Sequence, residues 1–478
     1  MRLRTCFFYI FISLLVLSCG NDSDKSRKKD TSSKSPNFIF ILADDQGWNG
    51  TSVQMMNSEP LSKSDYHETP HLEELATKGI KFSNAYASAP VCAPSRYSLQ
   101  FGKTPARLAL IRVGMNTNHI NHDELISIPK ALKKVNKNYV AAHFGKWGMG
   151  SHPKTLGYKV SDGATKNKDG GFVNNKKQWK HSIKKDPKNI FSITQRATKF
   201  MEENVKSQTP FYLQISHYAV HTSIQSQEKS YLKNKQKAKG DRHSNAGFAA
   251  MTEDLDEGLG QIMKKLKELG IENNTYIIYM SDNGAVPVIP AAKKYDRSYN
   301  YPLSRGKWDA MEGGLRVPLI ITGPGITENT ESSVPVSGSD ILPTIIDLAS
   351  ENKIELNKID GGSLKKIVLN KENNGVERST EGLFFHVPYK NGIALKRPHS
   401  AVRKGDYKLL KFQDNGELLL FNLAEEQKEQ KNLAKANPNK AKELEILLME
   451  YLKEVHAPKW KKGITWKNTP FRKINSTH

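Results

Sequence analysis

The chain is 478 residues long, enough to bury a core without help from disulfides, and its three cysteines exclude a disulfide-dense scaffold. Lysine and arginine number 72 against 49 aspartates and glutamates, a formal charge of +23, and such an excess draws polyanionic partners by long-range attraction. Nucleic acid is the usual partner of a basic protein, but the lysines here are scattered along the chain and not gathered in one block.

Arg2 and Arg4 precede an apolar run from Cys6 to Leu17 that is too short to cross a bilayer as a helix and has the form of a secretory signal. The run ends in Leu17-Ser18-Cys19-Gly20, which resembles the cleavage box of bacterial lipoproteins. That resemblance implies that Cys19 becomes the lipidated first residue of the mature chain, anchored at the bacterial cell envelope, where nucleic acid is rarely met. Asn21 to Ser35 has almost no apolar content and reads as a flexible tether. With Cys6 removed and Cys19 lipidated, Cys92 has no cysteine left to pair with, and an unpaired thiol in an exported chain is a sign of chemical use.

Folding begins at Asn37. Phe38 to Leu42 is a short continuous apolar run, the pattern of a strand buried on both faces of a parallel sheet, and it ends in Asp44-Asp45. Thr69-Pro70-His71-Leu72, with Leu75 and Gly79, has a helix start, helical spacing and a glycine stop. A loop is expected at Val91-Cys92-Ala93-Pro94-Ser95-Arg96. Tyr139 to Phe144 is another buried strand, delivering Gly145-Lys146-Trp147-Gly148, and Phe211 to Ile215 is a further one, followed by Ser216-His217-Tyr218-Ala219-Val220-His221. Thr275 to Met280 ends in Ser281-Asp282-Asn283-Gly284.

Two buried strands that carry paired oxygen side chains at their C-terminal ends bring them to the crevice where open α/β sheets bind ligands. Clustered carboxylates repel unless a cation lies between them, and an all-oxygen set suits a hard ion such as Ca²⁺ or Mg²⁺. Taken singly, Asp-Asp is also a helix cap and Asp-Asn-Gly a turn. Further on, the pattern from Val336 to Thr344 opens a helix running to Ala349. A Lys- and Asn-rich connection leads to Leu383-Phe384-Phe385. Ala401 to Leu410 and Glu417 to Phe421 read as a hairpin with its turn near Asp414-Asn415-Gly416, and Ala441 to Val455 as an amphipathic helix.

Cys92-Ala93-Pro94-Ser95-Arg96, continued by Leu99 and Gly102-Lys103, resembles the signature of the sulfatase family, Cys-x-Pro-Ser-Arg followed by Leu-x-Thr-Gly. Asp44-Asp45, Gly145-Lys146-Trp147, Asp282-Asn283, Gly306-Lys307 and Glu312-Gly313-Gly314-Leu315-Arg316-Val317-Pro318 match further blocks of that family. The resemblance covers nearly the whole mature chain. It implies an α/β fold of the alkaline phosphatase and sulfatase type: a large, mostly parallel sheet flanked by helices, with a smaller C-terminal domain of antiparallel sheet and one helix. The expected division is a signal at 1–18, a lipidated tether at 19–35, a catalytic domain at 36–350, a connection at 351–380 and the small domain at 381–478.

The same resemblance implies roles. Cys92 would be oxidised by a maturation enzyme to formylglycine, whose hydrated aldehyde is the nucleophile. Asp44, Asp45, Asp282, Asn283 and the modified Cys92 would surround one Ca²⁺. Lys146 and Lys307 would bind sulfate, Arg96 would hold charge beside them, and His221 would protonate the departing oxygen. Phe101 stands where the signature has threonine, Gly148 where the family has histidine, and Val220 where it has proline. His143 and His152 are the candidate replacements for the histidine missing at 148, while His217 is expected only to hydrogen-bond in place. Glu312 and Arg316 are expected to form a framework ion pair. The implied substrate is a sulfated polysaccharide or oligosaccharide, consumed in polysaccharide degradation, with Arg107, Lys154, Lys166 and Lys168 meeting neighbouring sulfates. Two other readings stand beside this one: a polysaccharide-binding lipoprotein that has lost catalysis, and a phosphatase or phosphodiesterase of the same superfamily.

Overall fold

In the computed structural model, which describes residues 35–289, 299–352, 354–370, 375–391 and 395–467, the first apolar run is strand β1 (Asn37–Ala43). The expected signal, the lipidation box at Cys19 and the tether up to residue 34 lie outside the described residues. Successive strand residues point to opposite faces, and β1 uses both: Phe38, Phe40 and Leu42 enter one apolar core, Ile39, Ile41 and Ala43 the other.

The chain continues through α1 (Pro70–Thr77), β2 (Gly79–Phe82), β3 (Ala85–Tyr86), α2 (Cys92–Phe101), α3 (Ile128–Val135), β4 (Val140–Gly145), β5 (Val160–Ser161) and β6 (Ser182–Ile183). Next come α4 (Ile190–Lys206), β7 (Phe211–Ser216), β8 (Gln225–Ser226), α5 (Glu228–Gln236), α6 (Ala246–Glu268) and β9 (Thr275–Ser281). Then follow α7 (Glu312–Leu315), β10 (Leu319–Thr322), β11 (Thr330–Ser332), β12 (Val336–Ser337), α8 (Ile341–Ala349) and α9 (Lys365–Val368). The last elements are β13 (Leu383–Val387), β14 (His399–Lys404), β15 (Tyr407–Phe412), β16 (Leu418–Asn422) and α10 (Pro438–Glu454).

The main sheet has eight strands in the order β11-β2-β10-β9-β1-β7-β4-β5. Strands β9, β1, β7, β4 and β5 run parallel, and β10 is antiparallel to both of its neighbours. The sheet is therefore mixed and mostly parallel, as expected. Helices α1, α4 and α6 cover one face and α2, α3 and α8 the other. Helix α6 buries Leu255, Leu259, Ile262 and Leu266, the three- and four-residue spacing of an apolar stripe.

Strands β13 to β16 form a separate antiparallel sheet in sequence order. Phe384, Val402, Leu409 and Leu420 pack with Leu444, Leu448 and Tyr451 of α10, whereas Phe385, Ala401, Leu410 and Phe421 join the larger core. The expected single strand from Ala401 to Leu410 is instead two strands. Lys404 pairs with Tyr407 around a tight Gly405-Asp406 turn, where Gly405 takes a φ of +58°, a left-handed conformation that glycine adopts without steric cost.

Candidate active site

Register brings the site together. Leu42 of β1 pairs with Met280 of β9 on one side and Ser216 of β7 on the other, so the three strands finish level. Asp44, Asp45 and Asp282 emerge at that edge, buried, each with a ligand atom within 4.8 Å of the others. The backbone N–H of Asp45 donates to Asp282 Oδ1 at 3.2 Å, and Nδ2 of Asn283 donates to Asp45 Oδ1 at 2.7 Å. Asp44 Oδ1 and Asn283 Oδ1 accept no hydrogen bond, an unfavourable condition for buried oxygens. Two orphaned oxygens among three carboxylates fit a hard divalent cation, for which these four residues offer only oxygen ligands.

Three basic side chains close on the carboxylates. Lys146, in the turn after β4, bonds Asp44; Nζ of Lys307 reaches both oxygens of Asp45; Nε of Arg96, on α2, donates to Asp282 Oδ2 at 2.8 Å. Arg96 Nη1 also donates to the Lys146 carbonyl at 2.5 Å, tying α2 to the β4 turn. Burial alone would raise Asp44, but Lys146, His221, Arg96 and Lys307 outweigh it and hold that carboxyl well below the usual carboxylate range. Asp282 is pushed the other way, up to about 6, by burial and by the charge of Asp44. Burial disfavours the charged form of Lys307, yet Asp45 and its neighbours hold the ammonium above the usual lysine value.

Cys92 is the first residue of α2 and not part of a loop, with Val91 as the extended N-cap. That end of a helix presents free N–H groups and favours negative charge. The cysteine borders a cavity of about 390 Å³ shared with Lys146, Gly148, Lys166, Asn167 and Lys168. A second cavity of about 440 Å³ is walled by Asp45, His221, Lys307, Phe172, Trp179 and Trp308. Nδ1 of His221 lies 2.7 Å from the Thr222 carbonyl, which puts the imidazole hydrogen there and leaves Nε2 as an acceptor, 3.7 Å from Asp45 Oδ2. Burial, reinforced by Lys307, pushes this imidazole down to about 4.

At position 148 the backbone takes a φ of +69°, and a Cβ there would stand 3.2 Å from Cδ of Arg96. Neither histidine considered as a replacement borders the cavity at Cys92. His143 Nε2 is 3.1 Å from Ser216 Oγ, and its ring meets Trp147 edge-on. His152 caps a 3-10 turn by accepting from the Lys154 N–H. His217 is buried, its backbone N–H bonded to the Leu42 carbonyl. Of the four basic residues expected to meet outlying sulfates, Lys166 and Lys168 border the cavity. Arg107 does not: it is committed to Asp360 through Nε and Nη2, and to Glu454.

Glu312 and Arg316 do pair, at 2.6 Å, but within a larger buried network. Tyr86 Oη donates to Glu312 at 2.7 Å, and Lys408 of β15 bonds Glu312 at 2.9 Å and Glu429 at 2.8 Å. Lys408 and Glu429 carry no signal in the sequence, because Glu312, which both bond, lies 96 and 117 residues away. The same holds for Asn167 and Phe172, which meet His221 across a separate loop.

A profile of the sulfatase family matches residues 36–351, and one described as N-sulphoglucosamine sulphohydrolase, C-terminal, matches residues 307–457. An ulvan-active sulfatase of Formosa agariphila is 26% identical over 445 residues, covering 87% of this chain and 80% of that protein. The N-acetylgalactosamine-6-sulfatase of Homo sapiens is 27% identical over 366 residues, covering 70% of this chain and 66% of that one. The crystal structure of Ps i-CgsB in complex with k-i-k-neocarrahexaose shares the fold, with a TM-score of 0.71, 24% identity and coverage of 89% of this chain and 94% of the other.

Proposed function

The chain belongs to the sulfatase family, and from that premise we propose that it removes sulfate from a sulfated polysaccharide or oligosaccharide at the Cys92 site, using formylglycine derived from Cys92 and one Ca²⁺. It is a sulfuric ester hydrolase by family; the glycan substrate, the modified cysteine and the ion are our reading. The observation that carries it is the all-oxygen cluster in which Asp44 Oδ1 and Asn283 Oδ1 lack donors, joined through Lys146, which bonds Asp44, to the cavity that Cys92 borders. The named activities of the similar proteins, one on ulvan and one on N-acetylgalactosamine-6-sulfate, support a sulfated glycan.

Asp44, Asp45, Asp282 and Asn283 would hold the ion. When present, it supplies Lewis acidity at the sulfate oxygens, and the hydrated aldehyde supplies the attacking hydroxyl. Lys146, Lys307 and Arg96 balance the three carboxylates one for one, so a divalent ion leaves the cleft positive and suited to an anionic ester. His221, held through Nδ1 by the Thr222 carbonyl, has a proton-free Nε2, so it would first take the proton of the attacking hydroxyl there and then give it to the departing oxygen. Trp179, Trp308 and Phe172 offer apolar walls for a sugar ring. The lipoprotein box at Cys19 and its tether support anchorage at the bacterial cell envelope, after passage by a formylglycine-generating enzyme.

The deciding experiment measures sulfate released from a panel of sulfated algal and animal glycans, with nitrophenyl sulfate and nitrophenyl phosphate in parallel. Turnover of a glycan, with kcat/KM falling steeply with salt for the polymer and little for the aryl sulfate, is expected, because exposed Lys166 and Lys168 act over a Debye length of about 8 Å. Turnover of the phosphate alone, or binding of glycans without release of sulfate, would displace this reading in favour of a phosphatase or a non-catalytic binding lipoprotein.

A further inference from the structure

Lys188 is buried, 1% exposed, and among the described residues it makes no ion pair. Its Nζ donates to the carbonyl of Gly170 at 3.2 Å. Burial pushes the amine down to about 7, with the charges of Asp44, Lys146 and Asp45 reaching it from the candidate site. Burying an ammonium group without a counter-ion is destabilising.

What it holds is the loop of residues 166–172. Asn189 follows with Nδ2 donating to the Asp169 carbonyl at 2.9 Å, so two successive side chains clasp two successive carbonyls. Both come from left-handed backbone, φ +54° and +56°, which is strained for residues other than glycine. The backbone N–H of Lys188 donates in turn to Gln225 Oε1 at 3.1 Å. At Gly170 the loop passes so close to Tyr218 that a Cβ would lie 2.3 Å from its ring. The other side of the loop meets the site. Asn167 Nδ2 stands 3.4 Å from Nε2 of His221, the Phe172 ring meets the His221 imidazole edge-on, and Asn167 borders the same cavity as Cys92, Lys146 and Gly148.

We propose that Lys188 is a positioning residue that fixes this loop so that the carboxamide of Asn167 contacts the sulfate ester beside Cys92, on the wall that Gly148 leaves without a side chain. The proposal rests on the sulfatase reading for its substrate and on the geometry for its clasp. Lys188→Met keeps the apolar stem and removes the ammonium. Wild type, K188M, N167A and the double variant are compared for kcat and KM on nitrophenyl sulfate, for Tm, and for hydrogen exchange in peptides covering 166–172.

K188M should lower kcat roughly tenfold to a hundredfold with little change in KM, as a misplaced contact does. Its Tm should equal or exceed that of wild type, since a buried charge is gone, while exchange quickens in 166–172. N167A should lower kcat comparably without loosening the loop, and the double variant should be no worse than the poorer single one. A K188M enzyme with wild-type kcat, a loss that tracks a lowered Tm, or losses that multiply would each overturn the proposal. Lys188→Gln serves the same comparison if the methionine variant aggregates. If wild type releases no sulfate from any substrate, the sulfatase reading fails by itself; unchanged exchange in K188M would still overturn the clasp.

Discussion

Nζ of Lys307 lies 2.6 and 2.7 Å from the two carboxylate oxygens of Asp45, each side chain almost wholly buried and the two residues 262 positions apart. Losing one partner of such a pair strands the other charge. Asp45→Asn should therefore destabilise the fold by about 3–5 kcal/mol, and adding Lys307→Met should restore most of that. Denaturant unfolding of the three variants measures it, and a double variant no more stable than Asp45→Asn would refute the pairing. Lys307→Met alone should lower kcat by roughly 10²–10³, as loss of one preorganised charge does.

Calcium should stabilise the protein by mass action. At a free concentration a hundred times its Kd, one bound ion adds about 2.7 kcal/mol, read as a rise in Tm. Asn283→Ala removes an orphaned oxygen and should weaken calcium binding in titration calorimetry. Full activity after exhaustive chelation, with no divalent ion found by elemental analysis, would exclude the ion.

Cys92 should be found as formylglycine when the protein is produced beside a maturation enzyme, with the mass change of CH₂SH becoming CHO in the peptide that contains it. Cys92→Ala should abolish turnover and leave Tm unchanged, because the side chain sits at the cavity edge at the first residue of α2. An intact thiol in fully active protein would rule the modification out.

Lys408 serves two acids, and they respond in opposite senses. Burial would raise Glu312, but Lys408 and Arg316 hold it well below the usual carboxylate range. Burial pushes Glu429 from 4.5 up to about 7 against the pull of Lys408. Between those two values the folded protein keeps a proton on Glu429 that the unfolded chain has released. Its contribution to stability is therefore present below the lower value and lost as pH rises through the upper one. Glu429→Gln should flatten the fall in Tm across that window. Lys408→Met leaves Glu312 paired with Arg316 but takes from Glu429 its cation, and should destabilise the protein most above about pH 7, where Glu429 must ionise.

How much was legible in the sequence follows from the range of each signal. Continuous apolar runs such as Phe38–Leu42 and Thr275–Met280 announce strands buried on both faces, because burial on both sides leaves no polar alternation. The residues that end them, and the unpaired Cys92 in its Pro94-Ser95-Arg96 frame, located the cluster that the structure brings together. The Gly405-Asp406 turn is a local signal, but the apolar pairs Ala401-Val402 and Leu409-Leu410 on either side of it mask it in the sequence.

By itself, then, the sequence determined the α/β class, the strand ends that carry Asp44, Asp45, Asp282 and Asn283, and the sulfatase family, since each rests on neighbours in the chain. Tertiary structure alone decided that Arg107 belongs to Asp360, that neither His143 nor His152 stands in at Gly148, and that Lys188 reaches Gly170. Those outcomes depend on strand register and on loops packed against each other, and a buried polar group bonds whatever partner that packing brings within about 3 Å, however far away in sequence.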